Sequence, residues 1–251
     1  MEPTQQHEGE MKHAPAEATV SKPAEASTNM TLSIPAAIII AGLMISASIV
    51  LTHFWGKTAT TDTVKAPTAS IKDVKIEGEP FIGKADAPAL AYYSDYQCPF
   101  CKKFDETILP TIRKEYVDTG KLKIVFKDFT FLGPDSDTAA LFGRAVWALY
   151  PDQYFAWREA MFASQDDEGS VGFGDRASIE ALTRKIAGID QAKVSAAVDA
   201  HAAEYKKSAD ADYEEGQTIG VTGTPSIIFG KQIMGGLYPM SAYTEALEKQ
   251  F

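Results

Sequence analysis

The chain has 251 residues, 45% hydrophobic and 23% charged, proportions ordinary for a folded protein with a real core. That length holds one large domain or two small ones. With 24 Lys and Arg against 34 Asp and Glu, the net charge is −10, which excludes the basic footprint a nucleic-acid binder needs and otherwise speaks of solubility.

Residues 1–30 are rich in Ala, Pro, Glu, Thr and Lys and contain no aromatic residue. Too little apolar surface is available there to offset ordering entropy, so the segment reads as a disordered acidic tail. TLSIPAAIIIAGLMISASIVLTHFW (31–55) then runs without a single Asp, Glu, Lys or Arg. As a helix at ~1.5 Å per residue, Leu32–Phe54 spans roughly 34 Å, enough to cross a hydrocarbon core of about 30 Å. Trp55 and Lys57 sit where interfacial anchors belong. A cleaved leader would carry a shorter apolar stretch behind a short basic start. The long acidic tail ahead of this one favours an uncleaved transmembrane anchor over 31–56. Lys12 and Lys22 on one side against Lys57, Lys65 and Lys72 on the other lend no support to an outside domain, and lean weakly the other way.

KTATTDTVKAPTAS begins a polar linker, placed at 57–74, and the composition turns globular from about Ile71. PALAYYSD (88–95) predicts a short, largely buried strand. Phe104, Ile108, Ile112 and Tyr116 recur at intervals of four, one face of a helix. Pro110 should kink that helix and Thr119-Gly120 should end it. KLKIVFKDF (121–129) predicts a second strand, completing a βαβ unit with a right-handed crossover. Residues 136–219 read as helical almost throughout. Phe142, Val146 and Leu149 share one face, Ile179, Leu182 and Ile186 another, and Val194 and Val198 a third. VTGTPSIIFGKQIMGG (221–236) has two short β-rich runs hinged at Gly230-Lys231, a hairpin signature. Ser241–Gln250 predicts a last helix. This order of elements is thioredoxin-like, an α/β fold with an inserted helical subdomain behind one transmembrane helix.

Cys98 and Cys101, in SDYQCPFCKKF, are the only cysteines. Structural zinc wants four ligands, and of His7, His13, His53 and His201 only the last lies in the globular part. A disulfide across so small a loop contributes roughly 2 kcal/mol by loop entropy, a poor use of both thiols as a staple. A cysteine protease needs a His with a positioning Asn or Asp, and the only Asn is Asn29, in the tail. A redox pair fits better. At the start of the helix that follows the strand, free N–H groups and the helix dipole stabilise a Cys98 thiolate. Pro99 takes the first turn, where its missing N–H costs nothing. Cys101, one turn on, is placed to attack a mixed disulfide at Cys98. Lys102 and Lys103 add positive charge that Asp105 and Glu106 offset. A stabilised thiolate favours the reduced form, so the disulfide form oxidises others. Downstream, Thr224-Pro225 precedes the strand IIF. A purely structural reading makes it a turn before an edge strand. A cis bond there would instead free the backbone of Thr224 to receive an extended substrate.

The strand leading into SDYQCPFC, the kinked helix, FKDF, the helical insertion and GTPS with its hairpin together resemble the DsbA-like thiol:disulfide oxidoreductases, above all their membrane-anchored bacterial members. The resemblance covers about residues 75–250. It implies Cys98 as the exposed nucleophile, Cys101 as the buried resolving thiol and Thr224 with Pro225 as the facing cis-proline loop. Phe100 falls at the third position of the centre, where members vary and tune potential, and together with Pro99 it flanks the substrate site. Where members often carry a buried acid six residues before the first cysteine, this chain has Tyr92. A neutral phenol accepts the Cys101 proton poorly, so water, Asp95 or Lys127 becomes the relay.

The resemblance further implies protein thiol substrates, no cofactor beyond the Cys98–Cys101 disulfide, a monomer at the bacterial inner membrane facing outward, and a quinone-linked membrane reoxidase. Rival readings are a reductase or isomerase fed by a membrane electron donor, and a non-catalytic scaffold or chaperone holding extended peptides.

Overall fold

The computed structural model describes residues 69–166 and 173–250. The acidic tail, the membrane segment and linker residues 57–68 lie outside the described residues. Among those described, no helix is long and apolar enough to cross a membrane.

Five strands form one sheet in the order β1-β3-β2-β4-β5, with β1 at Phe81–Ile82, β2 at Ala89–Ser94, β3 at Lys123–Asp128, β4 at Ser226–Phe229 and β5 at Gln232–Gly235. β2 lies at the centre, parallel to β3 and antiparallel to β4, with Tyr92 opposite Phe126 and Ile227. Buried on both faces, it has no polar residue until Ser94. Strand alternation sorts its side chains. Leu90 and Tyr92 enter one apolar core with Ile124, Phe126, Ile227 and Phe229. Ala91 and Tyr93 enter a smaller one with Phe129 and Ile228.

Between β2 and β3 runs α1 (Pro99–Thr107), broken at Ile108 (φ −110°) from the single turn α2 (Leu109–Ile112). Pro110 sits in the first turn of α2, so the predicted kink is a clean restart where proline is harmless. A π-turn, Arg113–Val117, follows, and Gly120, at φ 76°, turns the chain back toward β3. The insertion is α3 (Pro134–Leu149), α4 (Pro151–Ser164), α5 (Arg176–Thr183) and α6 (Gln191–Ile219). α6 bends at His201 and ends on left-handed Gly220. Leu149 departs from expectation: it is 43% exposed, because α3 stops at it and the chain turns away before Pro151. The β4–β5 hairpin turns at Gly230, φ 58°, and α7 (Met240–Glu248) closes the fold.

Of residues 69–74, at the end of the predicted linker, Lys72 and Asp73 are exposed and Ser70 and Ile71 half-buried. Ala69 and Val74 are buried in the smaller core, and the Ile71 amide donates to the Gly230 carbonyl at 2.9 Å.

An ionic cluster fastens the insertion to the sheet. Arg144 of α3 bonds Glu79 at 2.6 Å, Asp128 of β3 at 2.7 Å, and Asp212 of α6. Lys127 of β3 reaches Asp212 at 2.5 Å, Glu215 at 3.2 Å and Glu79 at 3.4 Å.

Candidate active site

Cys98 is the N-cap of α1 and Pro99 its first residue. The Cys98 carbonyl accepts from the amides of Cys101 and Lys102 at 3.0 and 3.1 Å, so the helix starts directly on the cysteine and its free N–H groups face that residue. The Cys98 thiol is pulled down to about 6, first by a hydrogen bond from the Cys101 thiol and then, against burial, by Thr224 and the amides of Cys101 and Phe100. Cys101, fully buried, is pushed well up, by burial first and then by the Cys98 sulfur. One thiol of the pair is therefore an anion at neutral pH and its neighbour a proton-bearing donor.

The Thr224–Pro225 bond is cis, and the loop faces the pair: as a thiol, Cys98 donates to the Thr224 carbonyl at 3.4 Å. Bonds from Ser226 Oγ to the Gly223 carbonyl (2.6 Å) and from the Gly236 amide to the Pro225 carbonyl (2.7 Å) hold the loop. Pro99 is exposed, and Phe100, at 59%, is the most exposed large apolar side chain among the described residues. Cys98 itself corrects the resemblance. It is only 4% exposed, because the Thr224 carbonyl and the helix start close over it.

Neither relay expected from sequence is placed to serve Cys101. The Asp95 carboxylate accepts four hydrogen bonds, from the Gln97 amide (2.8 Å), Ser136 Oγ (2.6 Å) and the amides of Phe131 (3.0 Å) and Leu132 (3.2 Å). It is a saturated anchor joining the loop before Cys98 to the loop after β3; only its main chain reaches the Cys101 sulfur. Lys127 pairs in register with Tyr93, not Tyr92. Strand alternation therefore turns it to the opposite face, into the ionic cluster on α6. His201, the one histidine that zinc would have needed, meets Glu204 and Tyr205 instead.

Asp95→Ala removes four bonds to a buried carboxylate and orphans three amides, those of Gln97, Phe131 and Leu132. We expect a loss of about 3 kcal/mol, read by denaturant unfolding, whereas an unchanged midpoint would deny Asp95 its anchoring part.

Sequence reasoning missed two buried charges. Asp105, read as merely offsetting Lys102 and Lys103, lies one turn past Cys101 on the same helix face and is 9% exposed. Arg158, inside the aromatic run of α4, is fully buried and bonds Asp105. The signal for Asp105 was its i+4 spacing from Cys101. Lys102, for its part, donates to the Gln165 carbonyl at 2.6 Å.

An ionised thiol beside a protonated one, on a thioredoxin sheet with a cis-proline carbonyl against them, is the chemistry of proteins that exchange disulfides with other thiols. The thioredoxin family model matches residues 75–249. Over 178 residues the chain is 30% identical to disulfide bond formation protein D of Bacillus subtilis, covering 70% of this chain and 78% of that one. It is 30% identical to the probable disulfide bond formation protein D of Bacillus anthracis over 147 residues, 58% and 67% of the two chains. The crystal structure of oxidised BdbD from Bacillus subtilis matches with a TM-score of 0.66 at 26% identity, over 73% of this chain and 97% of that one. DsbA of Chlamydia trachomatis, at 18% identity and TM-score 0.62 over 71% and 94% of the chains, shares the fold. The chain belongs to the DsbA-like thiol:disulfide oxidoreductases of the thioredoxin family, and is a thiol:disulfide oxidoreductase.

Proposed function

We propose that the enzyme donates the Cys98–Cys101 disulfide to folding proteins outside the cytosol through a mixed disulfide at Cys98. The observation that carries this reading is the Cys98 thiol held near 6 beside a Cys101 thiol held high. At pH 7 a thiol of pKa about 6 is ionised, whereas an ordinary one near 8.5 is not, which favours the reduced form by about tenfold, or ~30 mV. A more favoured reduced form makes the disulfide a better oxidant.

In the donor cycle a substrate thiolate attacks Cys98, the Cys98–Cys101 bond breaks, and Cys101 leaves as a thiolate that takes up a proton. A second substrate thiolate attacks the substrate sulfur of the mixed disulfide and Cys98 leaves as the stable thiolate. Two electrons have passed from two substrate thiols to the enzyme pair. Exposed Phe100 and Pro99, with the Thr224 backbone, supply the surface on which an extended substrate rests. No cofactor beyond the cysteine pair enters the cycle. In this role a monomer is held at the bacterial inner membrane by residues 31–56, its domain faces outward, and a quinone-linked membrane reoxidase restores the disulfide.

Cys101→Ser tests the chemistry. Without the resolving thiol, mixed disulfides accumulate at Cys98 and appear as adducts on non-reducing gels that reductant dissolves; a peptide-holding scaffold forms none. A reduction potential near thioredoxin's, about −270 mV, would reassign the enzyme to reduction or isomerisation. Labelling of Cys98 by an impermeant thiol reagent on intact cells fixes the side of the membrane.

A further inference from the structure

The turn that carries the chain from β2 to the reactive cysteines is held from far along the sequence. Asp95, Tyr96, Gln97 and Cys98 form it, closed by the Cys98 amide on the Asp95 carbonyl at 3.0 Å. Its central peptide, between Tyr96 and Gln97, is bonded at both ends. The Gln97 amide donates to Asp95 Oδ1 at 2.8 Å, and the Tyr96 carbonyl accepts from Gln165 Nε2 at 2.8 Å. A planar peptide gripped at its N–H and at its C=O cannot rotate, so the backbone angles on either side of it are fixed. Gln165 caps the C-terminal end of α4, 69 residues from Tyr96 along the chain.

The same residue holds the far side of the pair. Its main-chain carbonyl accepts from Lys102 Nζ at 2.6 Å, which sets an ammonium ion at the negative end of α4. One residue of the insertion thus clasps the reactive segment two positions before Cys98 and four positions after it. α4 also gives the turn its apolar bed. The Tyr96 ring stacks on Phe162 at 5.1 Å and meets Trp157 edge-on at 5.7 Å, and its hydroxyl lies 3.3 Å from that of Tyr154.

Gln165 is buried, and its Oε1 has no hydrogen-bond partner among the described residues. Gln97 is buried too, both atoms of its amide likewise unpartnered, packed where a Cβ on Gly174 would collide with it. Each such polar group costs about 1–3 kcal/mol, an expense that calls for a reason beyond stability. What the Gln165 amide supplies is one bond, to the carbonyl of the turn. The direction in which the chain leaves that turn decides where the Cys98 sulfur lies. The sulfur meets the Thr224 carbonyl at 3.4 Å and faces the amides of Cys101 and Phe100 at the start of α1, contacts that weaken steeply with distance and angle.

We propose that Gln165, with Lys102, is a positioning residue for disulfide exchange: through the Tyr96–Gln97 peptide it holds the Cys98 sulfur on the helix start and so tunes both the nucleophile and the potential of the pair. The α4 end of the insertion then sets the redox strength of cysteines that belong to the sheet. Gln165 carries no charge, so it acts on Cys98 through geometry. A thiolate depends on the N–H groups it faces and a disulfide sulfur does not. Loosening the turn therefore weakens the reduced form more than the oxidised one.

This role rests on the Cys98–Cys101 exchange read above, whichever way it runs. Gln165→Met keeps the length of the side chain, changes no charge and removes the donor. Equilibrated with reduced and oxidised glutathione, the variant should be about tenfold less oxidising, ~30 mV, and the midpoint of Cys98 alkylation by iodoacetamide should rise by about one pH unit. Lys102→Met, at a half-buried position and in about 0.5 M salt to screen the lost charge, should move both readings the same way by a smaller factor. Lys102→Arg should restore them. A glutamine with a merely structural part would lower the stability of both redox forms alike and leave both readings in place. That result in Gln165→Met, or in Lys102→Met should the first variant not fold, overturns the proposal. If the unaltered enzyme does not equilibrate with glutathione, the exchange reading fails and this role with it; if it does and Gln165→Met matches it, the role alone falls.

Discussion

Replacing Cys98 with serine abolishes disulfide exchange, by a factor on the order of 10³ or more, because a neutral hydroxyl cannot stand in for a thiolate nucleophile. The unaltered enzyme should be alkylated by iodoacetamide with a rate that titrates at about 6, roughly tenfold faster at pH 7 than at pH 5 by the thiolate fraction. The same shift makes the stability of the reduced protein depend on pH, in a definite sense. Cys98 has a folded pKa below its unfolded one, so its contribution is fully present above the unfolded value and is lost as pH falls through about 6. Between that point and an unfolded value near 8.5, the reduced form gains up to about 3 kcal/mol, while the disulfide form has no such proton to lose. Denaturant unfolding of both forms from pH 5 to 9 measures this as a widening gap in favour of the reduced protein. A constant gap, or alkylation titrating near 8.5, would mean that the helix start and Cys101 do not hold the anion.

The second large effect lies far from the thiols. Arg144→Met leaves Glu79, Asp128 and Asp212 facing only Lys127, all but Asp128 being less than a tenth exposed. Stranding buried carboxylates in this way costs about 3–5 kcal/mol, which for a domain of this size lowers the melting temperature by roughly 10 °C. Acid does not imitate the substitution. Burial, which outweighs the pull of Arg144, holds Glu79, Asp128 and Asp212 above their ordinary values. Their contributions are fully present below the unfolded carboxylate range and decline as pH rises through the folded values, so the cluster is not released from the acid side. Thermal unfolding at neutral pH, with the Cys98 alkylation midpoint as a control, checks this. A variant that melts with the unaltered enzyme would mean that α3 and α6 hold to the sheet by apolar packing alone.

Much of this was legible from residue order. CPFC after an apolar strand announces a cysteine at a helix start, because proline is welcome in the first turn and two thiols one turn apart are within reach of each other. Thr224-Pro225 ahead of IIF, and Gly230-Lys231 between two β-rich runs, announce the facing loop and the hairpin. Each of these signals is local, and local chemistry survives folding unchanged. Leu149 misled because helical periodicity says which face a residue shares and not where the helix stops being covered. Composition likewise cannot see Ala69 and Val74 find a core built from distant strands. Asp95 and Lys127 looked equally fit as proton carriers because both are titratable, and residue type alone does not say which face of the sheet a side chain takes.

Residue order by itself singled out the Cys98–Cys101 pair, the Thr224-Pro225 loop and the succession of elements, since spacing, turn chemistry and helix-start electrostatics act over a few residues. Only the tertiary structure decided what Asp95 and Lys127 bond, how tightly Cys98 is covered and what clamps the insertion. Those outcomes depend on strand register, which turns Lys127 to the face opposite Tyr92, and on desolvation by residues that α4 and α6 bring from fifty or more positions away.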